Sequence, residues 1–120
     1  MEQEPWETAG RRFIDQHVRY DRYGVVDLEQ TARNAHIEVR RELLSHQQAT
    51  LAPFSKGWIV RIDEMVTEKQ EPFIFGHELG HIALATAGVP FFGLSAQQFQ
   101  LAEAVCDFFS AQMLSSLYGD

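Results

Sequence analysis

The sequence predicts an α+β fold: N-terminal helices, a small, mostly antiparallel sheet of about three strands, and two C-terminal helices that carry the chemistry. Three observations predict it. The chain has 120 residues, which suits one modest hydrophobic core and a single domain over residues 1–120. Apolar residues alternate with period two only in the middle of the chain, and helical spacing dominates on both sides of that stretch.

Trp6, Phe13, Ile14, Val18 and Tyr20 mark one face of a first helix expected from about Pro5 to Arg22, stopped by Gly24. Asp27 then caps a short second helix that reaches Asn34. From His36 to Leu44, Ile37, Val39 and Arg41 fall on one side and Glu38, Arg40 and Glu42 on the other, the pattern of a strand with one wet face. Gly57 to Asp63 alternates more clearly, with Trp58, Val60 and Ile62 opposite Ile59 and Arg61. Its pairing with the strand over Ile37 to Leu44 is expected, and a short strand over Ala49 to Phe54 is expected to sit between them in a meander. The next helix starts at either a Thr67/Gln70 capping box or Pro72 in first helical position, and ends near Gly88. Ser95 is the N-cap candidate of the last helix, expected to run to about Leu117.

Composition narrows the function. Ten Lys plus Arg against 17 Asp plus Glu give a net charge of −7, which disfavours nucleic acid as the main partner. Cys106 is the only cysteine, so a disulfide framework and a multi-cysteine zinc site are both excluded. Any metal must rest on His and carboxylates. The acidic N-terminus MEQEPWETAG lacks a secretion signal, and the most apolar window, Ile82 to Leu94, is too short to span a bilayer. A soluble, reduced, cytoplasmic protein is expected.

His77, Glu78, Leu79, Gly80 and His81 spell H-E-x-x-H. On a helix, a spacing of four sets the two imidazoles about 40° apart around the axis and about 6 Å apart along it, so both can converge on one ion. Glu78 lies about 100° around from His77, which suits a general base acting on a metal-bound water better than a ligand. A catalytic zinc needs a third protein ligand. The acids downstream are Glu103, Asp107 and Asp120, and the first two share a helix face at i, i+4. Their helix is apolar nearly all round, so these carboxylates require a partner or a metal. One can bind the ion while Asp107 fits the task of holding a ligand His by its other ring nitrogen.

FIFGHELGHIAL, from Phe73 to Leu84, and EAVCDFFSAQML, from Glu103 to Leu114, resemble the ImmA/IrrE family of zinc metallopeptidases, whose members are of the gluzincin type. DRYGVVDLEQTARNAHIEV, from Asp21 to Val39, and GWIVRIDE, from Gly57 to Glu64, are similar to the segments that precede the active-site helix in that family. The resemblance implies a minimal zincin-like domain. It also implies His77, His81 and Glu103 as zinc ligands, Glu78 as catalytic acid/base and Asp107 as the outer partner of a ligand His. Cys106 stands where a small residue is usual; it is read as a packed free thiol, although its side chain could face the site.

The implied activity is zinc-dependent endopeptidase cleavage of a helix-turn-helix repressor of a phage, mobile element or stress response. With no room for a fused DNA-binding module, the chain is expected to meet a separately encoded repressor in trans. An oxyanion-stabilising group is not singled out among His17, Tyr20, Arg22, Tyr23, His36, His46 and Tyr118. A strand edge within Gly57 to Asp63 is a candidate support for extended substrate. The alternative is a zinc-binding interaction module that sequesters a repressor or antitoxin without proteolysis, in which Glu78 is dispensable. A deformylase-type site is disfavoured, because it draws a Cys ligand from upstream of the motif and Cys106 lies downstream.

Overall fold

The computed structural model describes residues 4–24, 26–89 and 93–114. Its elements follow the order α1 (Glu4–His17), α2 (Leu28–Asn34), β1 (Ile37–Glu42), β2 (Ala49–Phe54), β3 (Gly57–Asp63), α3 (Glu71–Thr86) and α4 (Ala96–Met113). Among the described residues the architecture is α+β, four helices with one three-stranded sheet. Among the described residues no helix is long and apolar enough to cross a membrane.

The first helix is shorter than its apolar pattern suggested. It stops at His17, and Tyr20 instead pairs in an isolated antiparallel bridge with Val26, around a turn where Gly24 takes φ +79°. Asp27 caps α2 as expected, its carboxylate accepting from the Gln30 N–H at 2.9 Å, a bond of about 1 kcal/mol.

The sheet corrects the expected meander. Its order is β1-β3-β2, so β3 is central, parallel to β1 (Ile37 opposite Trp58) and antiparallel to β2 (Ala49 opposite Ile62). The sheet is thus mixed rather than mostly antiparallel. Burial explains the placement: Ile59, Val60 and Ile62 cover both faces of β3 and are all buried, whereas most of β1 beyond Ile37 is exposed. A strand buried on both faces belongs in the middle. Asp63 ties the crossover together, its carboxylate accepting from Leu44 N–H (2.8 Å) and Met65 N–H (3.2 Å), while its own N–H donates to Gln48 C=O (2.8 Å). At the other end His36 takes φ +60° and its carbonyl accepts from Trp58 N–H. A Cβ on Gly57 would overlap that carbonyl oxygen, so glycine is required there.

Of the two expected starts of α3, the Pro72 one is nearer: the helix begins at Glu71, and its N-cap Gln70 makes no side-chain capping bond to it. Thr67 and Gln70 exchange side-chain to backbone hydrogen bonds (3.1 and 3.2 Å) just before the helix, and Pro72 sits in its first turn. Ser95 and Gln98 form the capping box of α4. The part of that helix expected beyond Leu114 lies outside the described residues.

Helices α3 and α4 pack closely because two glycines face α4. A Cβ on Gly76 would lie 2.5 Å from Ser110 Oγ, and one on Gly80 would lie 2.9 Å from Cys106 Cα. Ser110 is buried and donates to the Phe73 carbonyl at 2.9 Å. The main core joins Phe75, Leu79, Ile82 and Ala83 of α3 to Val60 and Ile62 of β3 and Phe109 and Met113 of α4. A smaller cluster holds Leu84, Ala102, Val105 and Cys106. Those apolar contacts fix the outward stripe on which the polar residues of the two helices meet.

Candidate metal centre

His77 and His81 both lie on α3, and Glu103 and Asp107 both lie on α4. The chemistry-bearing pairs are each spaced i, i+4, so each presents one face of its helix. The two stripes meet across the helix pair. Glu103 Oε2 stands 3.2 Å from His77 Nε2 and 2.7 Å from His81 Nε2, and Asp107 Oδ1 stands 2.7 Å from His77 Nδ1. The rings of His77 and His81 are 5.1 Å apart in an edge-to-face arrangement. His77, His81, Glu103 and Asp107, singled out in the sequence, therefore form one connected cluster, with Glu78 beside it.

The hydrogen bonds carry an electrostatic consequence. With His77 Nδ1–H donated to Asp107, the neutral ring turns its Nε2 lone pair toward Glu103 Oε2, so two acceptors face each other at 3.2 Å. A proton or a cation between them relieves that contact. Two imidazole nitrogens and a carboxylate oxygen converging on one point are also the donor types that suit a zinc ion. The donor set thus fits such an ion.

Cys106 is the second approach to the histidine pair. His77, His81 and Cys106 each offer a ligand atom, and the three atoms lie within 4.8 Å of one another. Glu103 makes direct contact with both rings, so it is the better-placed third donor. Burial pushes the Cys106 thiol well above its ordinary range, and the nearby carboxylates of Glu103, Glu78 and Asp107 add to the effect. Burial also raises the Glu78 carboxyl, with His77 opposing and Glu103 reinforcing the shift. The same cause lowers His81, although Glu103 pulls in the other direction. A carboxyl held above its usual range is a better proton acceptor when ionised.

Two adjoining lobes open onto the cluster. One, of about 410 Å³, is lined by Gln47, the β2 residues Ala49–Pro53, and His77, Glu78, His81 and Glu103. The other, of about 390 Å³, adds Gln48, Phe73, Ile74 and Asp107. The strand edge beside the cluster is that of β2, not β3, which has neighbours on both sides. Because Gln48 C=O accepts from Asp63 N–H, alternation turns the backbone groups of Thr50 and Ala52 toward β3 and those of Ala49 and Leu51 toward the open edge. Pro53 shares that outward phase, where its missing N–H costs no bond within the sheet.

None of His17, Tyr20, Arg22, Tyr23, His36 and His46 lines either lobe, and Tyr118 lies outside the described residues. Among the described residues, the polar side chains that do line them, apart from the cluster, are Gln47, Gln48 and Thr50. No residue pattern marked these in advance; only the placement of β2 at the edge brings them to the cluster. No protein-family model matches the chain, and no curated protein matches it.

Proposed function

We propose that the chain is a zinc-dependent endopeptidase in which His77, His81 and Glu103 hold the ion and Glu78 is the general base. The observation that carries this reading is the convergence of both Nε2 atoms on Glu103 Oε2, with Asp107 fixing His77 from behind. Zinc, when bound, supplies Lewis acidity, polarising a carbonyl and acidifying a water.

The chain's own residues do the rest. Asp107 accepts from His77 Nδ1–H, which fixes the tautomer and turns the Nε2 lone pair inward. Glu78, raised by burial, lines both lobes beside the histidines and takes the proton of the attacking water, then delivers it to the departing amine. The open edge of β2 offers the N–H and C=O groups of Ala49 and Leu51 to an extended peptide, which strand addition would lay across the cluster. An acceptor in the substrate finds no donor at Pro53.

The substrate class is drawn from the resemblance to the ImmA/IrrE peptidases: a helix-turn-helix repressor supplied by another chain. Incubating such a repressor with the protein, with Glu78→Gln and with a chelator tests the proposal. Cleavage that the variant and the chelator both abolish supports it. Loss of repressor function with no cleaved bond, unchanged in Glu78→Gln, replaces it with the sequestering module.

A further inference from the structure

The peptidase reading uses the β2 edge of the sheet and leaves the β1 edge without a role. Among the described residues no strand flanks β1 on the side away from β3, and Glu38, Val39, Arg40 and Arg41 are all exposed. Two hydrogen bonds set the phase of its main chain. His36 C=O accepts from Trp58 N–H and Glu42 C=O accepts from Glu64 N–H, so the even-numbered residues turn their backbone groups toward β3. The N–H and C=O groups of Ile37, Val39 and Arg41 therefore point outward, a row on which another strand can pair.

We propose that a second copy of this chain adds its own β1 to that edge, antiparallel about a two-fold axis at Val39, and so joins the two three-stranded sheets into one. Charge selects both partner and register. Glu38, Arg40 and Glu42 alternate in sign along one face of β1. An axis at Val39 sets Glu38 opposite Arg40 of the second copy, and Arg40 opposite its Glu38. An axis at Glu38, Arg40 or Glu42 sets like charges opposite each other, and one at Arg41 sets two guanidinium groups together. The apolar face agrees. Val39 is 40% exposed; in this register it meets its own copy as a hydrogen-bonded pair, with Cα atoms about 5.5 Å apart. That copy covers the mouth of the groove lined by Leu28, Ala32, Ile37 and Phe75. The metal cluster lies beside the opposite edge, so both β2 clefts of the dimer stay open.

Sedimentation velocity of the full chain over a concentration series gives the test, and a reversible monomer–dimer equilibrium is the expected result. Val39→Pro removes the N–H on the axis, and because that N–H faces away from β3 the proline costs no bond within the sheet. This variant should sediment as a monomer where the unaltered protein is dimeric, with the same helical signature. Glu38→Arg and Arg40→Glu each place like charges in both cross pairs, and each should raise the dimer Kd by about 10-fold or more. Mixed in equal amounts, these two variants should pair with each other, since every cross pair is then opposite in sign. Where Val39→Pro loses its helical signature, the charge variants decide. A monomer at every concentration overturns the proposal, as does a dimer that survives in folded Val39→Pro. Charge variants that dimerise alone as well as they do together overturn the Val39 register.

Discussion

Two clefts of about 410 Å³ each sit at opposite edges of the sheet, one against β1 and one against β2, and α3 contributes to both. The β1 cleft is lined by Leu28, Ala32, Ile37, Val39 and Phe75, and its charges are paired off, Glu29 with Arg33 and Glu71 with Arg41. The β2 cleft holds two imidazoles and the carboxylates of Glu78 and Glu103, and both Nε2 atoms meet Glu103 Oε2. Size is the same in both. What differs is convergence: in one, each charge already has its counter-charge along the rim, and in the other two imidazole nitrogens crowd one carboxylate oxygen in a way that a cation completes. The first is the signature of packing and the second of a site.

The largest effect expected from breaking this contrast is chemical. Glu78→Gln should keep the bound metal and lower peptide hydrolysis by about 10²- to 10⁴-fold, measured as turnover of a cleaved repressor or peptide at saturating metal. A milder loss belongs to Asp107→Asn, which leaves His77 without its carboxylate and should weaken zinc affinity by about 10- to 100-fold in a chelator competition. Gly80→Ala tests the close approach of α3 and α4. The new methyl meets Cys106 backbone, and chemical denaturation should show a loss of about 1–3 kcal/mol. In the β1 cleft, Glu71→Gln removes a partly exposed ion pair with Arg41, at a cost of about 0.2–1 kcal/mol. Zinc affinity and turnover should stay at their original values; a fall in either would erase the distinction between the two clefts.

The subtlest effect is that of pH on the metal-free protein. Burial is the leading cause that lowers both His81 and His17, and His17 Nδ1 is buried without a hydrogen-bond partner among the described residues. The unfolded chain therefore binds protons at a higher pH than the folded one does. Stability should rise with pH from each depressed value up to the ordinary histidine pKa of about 6.5 and level off above it. Thermal unfolding across that window checks the sign, and a midpoint that falls as pH rises would contradict the role given to burial.

The contrast also separates what the sequence makes legible from what it hides. The histidine pair and the Glu103/Asp107 pair are helical neighbours at i, i+4, and helical geometry is local, so their shared faces could be read directly from spacing. That both pairs face each other followed from the apolar surroundings of the acids, which left them few other partners. Strand order is a non-local property. Alternation identified β1 and β3, but it could not say that β2 lies outside β3, and that placement alone gives the cleft its edge strand and its polar lining of Gln47, Gln48 and Thr50. The end of α1 was misjudged for a related reason: Val18 and Tyr20 continue the helical phase, yet Tyr20 forms its bridge to Val26 instead. The adjacency of Cys106 to the histidines likewise depends on Gly80, a contact between helices that spacing on either helix alone does not reveal.

The central claim is that α3 and α4 together form a metal centre, and metal stoichiometry tests it most directly. The full chain exposed to zinc, freed of excess by gel filtration and analysed by elemental mass spectrometry should carry about one ion per chain. His81→Ala and Glu103→Ala should carry essentially none while keeping the helical signature of the unaltered protein. An unaltered protein that emerges without zinc, or a His81→Ala variant that retains it in full, would contradict the account.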